Sequence, residues 1–229
     1  MNFAPFVQLR PGGRGVRIDR GASLPYSLNM PRVPVSEDLI LASASPRRQE
    51  LLKRIAPGFR VVPSRADETS VRETDPVRFA VAAALLKARD VGERNPASLV
   101  LAADTVVCLG SEIFGKPADR DEARATLKKL SGRGHRVITG VALYRKVEGG
   151  RLTGHEESLV RFRPLDERAV EGYLDTEDHV DKAGSYAIQE VNDAFVEELV
   201  GDYDNVVGLP LRLVEGMLRR FRAGERDRV

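Results

Sequence analysis

The chain has 229 residues, 42% of them hydrophobic and 31% charged, with 36 Lys and Arg against 34 Asp and Glu for a formal charge of +2. These figures exclude collagen, coiled coil and wholesale disorder, and so even a charge balance gives no argument for nucleic acid. The one cysteine, Cys108, excludes an internal disulfide and suits a reducing cytosol, while a chain of this length buries its core without such staples, as one large domain or two small ones.

Residues 1–36 read as a flexible extension. They hold Pro5, Pro11, Pro25, Pro31 and Pro34, with glycines at 12, 13 and 15, and no strand or helix period persists. Order begins near Asp38. Leu39-Ile40-Leu41-Ala42 is a short buried strand by its length and flanks. Ser45 as N-cap and Pro46 as first residue open a helix through Ile55. Phe59–Val62 gives a second strand. Thr74-Asp75-Pro76 opens a helix whose apolar face is Val77, Ala80, Val81, Ala84, Leu85 and Ala88. Leu99–Leu109 is a long strand-like run. Asp119–Leu130 is a helix with Ala123, Leu127 and Leu130 inward and Gly132 as its stop. Val137–Tyr144, a Gly149-Gly150 turn and Glu156–Arg163 predict a hairpin. A short helix over Asp166–Leu174 precedes a charge-rich loop, and Leu209–Phe221 is an amphipathic final helix. The tail, residues 224–229, is expected to fray. Strands and helices alternate and a hairpin enters late, which predicts an α/β fold with a mixed sheet and flanking helices over residues 37–223. No run of 18 apolar residues and no signal-peptide core are present, so the expected location is the cytoplasm, with no membrane partner.

Three segments carry chemistry. Ser43-Ala44-Ser45-Pro46-Arg47-Arg48 is a small-residue turn into a helix, whose N-terminal N–H groups favour anions. Two arginines in that first turn oppose the helix dipole and make sense if they grip phosphate; a capped surface helix is the competing reading. Asp104 lies inside an eleven-residue apolar run, where a carboxylate is paired, metal-bound or at a solvent-facing strand end, or else caps a turn between shorter strands. Asp67-Glu68-Thr69 offers carboxylates for a hard cation, against a plain solvated loop. Lys87, Lys116 and Lys182 each also read as ordinary surface lysines. The histidines at 135, 155 and 179 lack metal-ligand spacing, so any cation would be oxygen-bound.

Taken in order, these segments resemble the Maf family of nucleoside triphosphate pyrophosphatases. The resemblance runs from Leu39 to Leu211. It rests on Leu41–Arg48, Asp67-Glu68-Thr69, Ala103-Asp104-Thr105-Val106-Val107, Gly115-Lys116-Pro117, Leu130-Ser131-Gly132 through Thr139-Gly140-Val141, Asp181–Gln189 and Asn205–Leu211. It implies two lobes around a cleft, like the inosine triphosphatases. It also implies hydrolysis of a nucleoside triphosphate to the monophosphate and pyrophosphate, with Mg²⁺ or Mn²⁺ and a homodimeric state. The proton acceptor falls on Asp104. Specificity positions fall on Arg47, Thr105 and Gln189, and phosphate-facing residues on Ser43, Arg48, Lys87 and Lys116, with Lys182 nearby. Glu68 assists, and Glu68 with Asp104 would hold the metal. Thr105 and Gln189 match the subgroup acting on dTTP and UTP. Gly134 stands where the family more often has Thr, and Glu190 where Gly usually follows the Gln. The rival class is a nucleotide-sensing protein of cell division whose basic arm (Arg10, Arg14, Arg17, Arg20) contacts nucleic acid; a third is a phosphomonoesterase.

Overall fold

The computed structural model describes residues 39–176 and 179–228, and the expected N-terminal extension lies outside them. One mixed sheet forms the frame. Its path is β2 (Arg60–Val61), β1 (Leu39–Leu41), β3 (Leu99–Leu109), β5 (Gly134–Arg145), β6 (Gly150–Phe162) and β7 (Val196–Val200). The strands β2, β1 and β3 run parallel; β3, β5, β6 and β7 are antiparallel neighbours. A short β4 (Glu112–Phe114) folds back on the end of β3.

The long runs at 99–109 and 134–162 are apolar because helices cover both sheet faces. Side chains alternate between faces along a strand. Leu99, Leu101, Ala103 and Val107 join the larger core with Val137, Val141 and Leu143, packed by α1 (Pro46–Lys53), α3 (Arg120–Leu130), α4 (Glu167–Leu174) and α7 (Leu211–Arg222). Val100, Ala102, Val106 and Cys108 turn the other way, toward α2 (Pro76–Arg94). Cys108 is fully buried in that packing. Five α-helix starts share one device: Ser45, Asp75, Asp119, Asp166 and Asp202 each accept, through the side chain, a backbone N–H from the first turn of the helix that follows.

Three expectations need correction. The buried face of α2 is Ala80, Ala83, Ala84, Ala88, Val91 and Gly92, with Val77, Val81 and Leu85 only half-buried. Small residues turn inward because the helix lies directly on the sheet: a Cβ on Gly140 of β5 would overlap the Ala80 backbone, and one on Gly92 would overlap the Tyr144 ring. The charge-rich loop after α4 also carries structure: a turn at Ala183–Ser185, α5 (Ile188–Phe195), β7 and α6 (Tyr203–Val207). Finally, the tail does not simply fray, since β8 (Asp227–Arg228) pairs with the start of β6.

Candidate active site

The site sits at a break in the sheet. On one edge of β3, β1 pairs only with Leu99–Leu101 and β4 only with Val107–Leu109. Between them, residues 102–106 have no strand on that side among the described residues. The chain leaves β1 at Ala42, whose N–H donates to the Leu101 carbonyl at 2.8 Å, and turns at once into α1. A cavity of about 620 Å³ fills the break, lined by Ala42–Arg48, Glu68, Lys87, Asp104–Val107, Lys116 and the 181–183 and 206–208 segments.

Asp104 occupies the middle of a continuous strand, paired across from Gly140, so it caps no turn. It is buried on the α2 side. Lys87 reaches it from α2 with Nζ–Oδ1 at 2.7 Å, and the same ammonium lies 2.9 Å from Glu68 Oε1. Burial pushes the Asp104 carboxyl well above the usual carboxylate range; Lys87 and Arg48 pull against that, and Glu68 adds to the rise. Burial also acts upward on Glu68, but the Lys87 hydrogen bond and charge, helped by Lys116, hold it below its ordinary value. The Asp67 side chain accepts the Thr69 N–H at 2.9 Å and starts the single turn that carries Glu68.

Arg48 is anchored on the opposite side of β3. Its Nε donates to the Gly208 carbonyl at 2.8 Å and its Nη2 to Thr105 Oγ1 at 3.1 Å, with a long 3.5 Å contact from Nη1 to Ser43 Oγ. Ser43 Oγ accepts the Ser45 N–H, and Ser45 Oγ caps the Arg48 N–H. Burial pulls the Arg48 guanidinium down while Asp104 and Glu68 support its charge. Arg47 is half-buried on the cavity wall; burial lowers it too, opposed by Tyr173 and Glu190.

The structure therefore brings Ser43, Arg47, Arg48, Glu68, Lys87, Asp104, Thr105, Lys116 and Lys182 to one cavity. Lys116 Nζ lies 3.7 Å from Asp181 at the mouth, and Lys182 Nζ donates to the Val180 carbonyl. Gln189 is exposed on the first turn of α5 and does not line the cavity. Among the described residues no group of three or more His, Cys, Asp or Glu could hold a metal; the carboxylates lining the cavity are Glu68 and Asp104 beside Lys87, and Asp181 beside Lys116.

Sequence reasoning passed over several contributors. Thr139 and Asn205 are fully buried behind Thr105, and Gly208 supplies an acceptor to Arg48. Tyr186 lines the cavity and is hydrogen-bonded to His135 Nε2 at 2.8 Å. Both Thr139 and Asn205 stood inside quoted motifs, but a neutral side chain in a motif carries no charge signal to mark its use.

Comparison with known proteins agrees with the resemblance. A family model described as "Maf-like protein" matches residues 38–221. A protein of Symbiobacterium thermophilum named "dTTP/UTP pyrophosphatase" is 48% identical over 185 residues, covering 81% of this chain and 94% of its own length. Similarly named proteins of Thermosipho africanus and Pyrococcus furiosus are 47% and 42% identical, over 79% and 77% of this chain and 91% of each relative. Among solved structures, the Staphylococcus aureus Ham1 protein matches with a TM-score of 0.48 at 12% identity, covering 79% of this chain and 97% of that one.

Proposed function

The chain belongs to the Maf family, and from that premise we propose that it is a nucleoside triphosphate pyrophosphatase converting dTTP and UTP to the monophosphate and pyrophosphate. The observation that carries the reading is Asp104, a buried carboxylate whose pKa is raised by burial, beside a cavity ringed by Arg47, Arg48, Lys87, Lys116 and Lys182. A carboxylate of raised pKa is the better general base near neutral pH.

The chemistry follows from that arrangement. The triphosphate lies across the Ser43–Arg48 turn, its charge met by Arg48 and the lysines. A water beside Asp104 attacks the α-phosphorus. Its oxygen forms the new P–O bond and its proton passes to Asp104. The bond from the α-phosphorus to the bridging oxygen breaks, and pyrophosphate leaves with that electron pair. General-base assistance of this kind is worth roughly 10²–10⁴-fold. Positioning by Arg48 and the lysines supplies much of the remainder.

Glu68 and Asp104 fit a hard divalent cation such as Mg²⁺ or Mn²⁺. Both are oxygen donors, and the Lys87 ammonium already marks a cationic position between them at 2.9 and 2.7 Å. Such ions use one or two carboxylates together with substrate phosphates. When bound, the cation supplies charge neutralisation at the phosphates. In this reading base preference belongs to Arg47 and Thr105 on the cavity wall, and the resemblance adds Gln189, which stands outside the cavity at the start of α5. Arg47 lines the cavity under the influence of Glu190, and Thr105 works by holding Arg48. A homodimer and a cytoplasmic location are part of the same proposal, supported by the family resemblance and by the lone thiol; no helix among the described residues is long and apolar enough to cross a membrane.

The test separates products. Purified protein is incubated with Mg²⁺ or Mn²⁺ and dTTP, UTP, CTP, 7-methyl-GTP or ITP, and pyrophosphate and orthophosphate are quantified separately. Pyrophosphate from dTTP and UTP, absent with Asp104→Asn, is the expected result. Orthophosphate as the first product, or no release from any nucleotide, overturns the assignment.

A further inference from the structure

Arg48 is held by neutral groups alone, and those groups continue inward as a line of hydrogen bonds. Arg48 Nη2 donates to Thr105 Oγ1, and Thr105 Oγ1 lies 2.9 Å from Thr139 Oγ1. Thr139 Oγ1 donates to the Asn205 carbonyl at 3.0 Å. An arginine can only donate, and each hydroxyl has a single proton. The Thr139 proton is committed to Asn205, so the Thr105 proton must go to Thr139, leaving the Thr105 lone pairs facing Arg48. The direction of the whole line is thereby set.

The far end is fixed as firmly. The Asn205 side chain donates to the Val137 carbonyl at 3.0 Å and to Ser158 Oγ at 2.9 Å. Ser158 in turn exchanges two 3.0 Å hydrogen bonds with the Asp202 backbone. These bonds tie β5 and β6 to the segment that holds α6 and Gly208, whose carbonyl is the other acceptor for Arg48. Thr139 is fully buried and does not line the cavity.

We propose that Thr139 is a positioning residue for anion binding: its hydroxyl orients Thr105, and through Thr105 fixes the Arg48 guanidinium for the phosphates. The inference rests on the reading of this cavity as a triphosphate site. Because two edges of Arg48 are pinned to acceptors that carry no charge, the cation arrives at the ligand oriented and without a carboxylate to displace.

The experiment measures binding of inorganic tripolyphosphate with Mg²⁺ by calorimetry, beside the melting temperature of each unliganded protein. Thr139→Val keeps the shape and removes the hydroxyl; it should weaken binding about tenfold. Thr139→Ser should restore wild-type affinity. In an Arg48→Ala background, Thr139→Val should have no further effect on affinity, which a merely structural role would not produce. Wild-type affinity in Thr139→Val, or an equal loss in the Arg48→Ala background, overturns the proposal. Should Thr139→Val not fold, Thr139→Cys carries the test, since a thiol is a weak donor: weakened binding supports the relay and unchanged affinity refutes it. Failure of the functional reading looks different, with tripolyphosphate bound as described and no nucleotide hydrolysed.

Discussion

The two faces of β3 handle polarity in opposite ways. On the α2 face, charge is compensated by charge: the Lys87 ammonium bridges Asp104 and Glu68. On the other face, Arg48 donates only to hydroxyl and carbonyl oxygens, and two titratable side chains farther along, His135 and Tyr186, are kept neutral. Burial pushes His135 down to about 4 and drives the Tyr186 hydroxyl well above its ordinary range. The difference separates two tasks. A carboxylate that must accept a proton needs a counter-charge to tune it. A cation proposed to meet a phosphate is oriented by neutral acceptors, while Asp104 and Glu68 support its charge across the strand.

The contrast yields tests on four variants, from the largest effect to the smallest. Asp104→Asn should cut turnover by about 10²–10⁴-fold or more with the fold retained. The native pKa of Asp104 lies above its unfolded value, so its ionisation costs stability as pH rises through that window. Asp104→Asn should therefore melt higher than wild type at neutral pH, with the advantage shrinking at acidic pH. A lower melting temperature at neutral pH would mean that Lys87 compensates Asp104 completely. On the neutral face the sign refers to folding alone. His135 falls from 6.5 to about 4, so its contribution is intact above the unfolded value and is lost as pH falls from 6.5 towards 4. Relative to His135→Gln, wild type should lose roughly 3 kcal/mol of unfolding free energy over that interval, read by urea titration at each pH.

Gly140→Ala tests how closely α2 must approach. A Cβ there overlaps the Ala80 backbone, so the helix must move and carry Lys87 with it. The cost should be about 1–3 kcal/mol, with activity falling more than tripolyphosphate affinity, since Arg48 stands on the other face. The smallest effect is a shift in pH profile. Lys87 lowers Asp104 against its burial, so Lys87→Met should move the acidic limb of kcat/KM upward. An unmoved limb would show that some other group sets that titration.

Much of the frame was legible because burial leaves a periodic trace. Leu99–Leu109 stands out as a strand covered on both faces, and Asp104 stands out within it because an ion in apolar surroundings is costly. Helix starts were marked by Ser45, Asp75, Asp119 and Asp166. The α2 face was misplaced because hydrophobicity favours Val81 and Leu85, whereas close packing favours Ala83 and Gly92. The 175–208 region hid for a different reason. The α5 helix passes from Phe195 straight into β7 at Val196 with no Gly or Pro between them, and Asp181 and Ser185 adopt left-handed backbone (φ 61° and 63°) without glycine to announce it. At the site, charged residues were found by their cost, while Thr139 and Asn205 were missed because a satisfied neutral side chain costs little and leaves no mark.

The break in the sheet has one more consequence. The Leu101 carbonyl points toward β1, and backbone direction alternates along a strand, so the amides of Ala103 and Thr105 turn into the opening. Elsewhere β3 is stitched to β5 throughout Val100–Cys108. These two amide protons should therefore trade with deuterium far faster than their neighbours, in the middle of an otherwise protected core strand. The opening is too short, and too closely flanked by β1 and β4, for a foreign strand to dock there and seed aggregation. What remains is a pair of backbone reporters at the cavity wall, whose exchange should slow on occupancy and so register a bound nucleotide without any label.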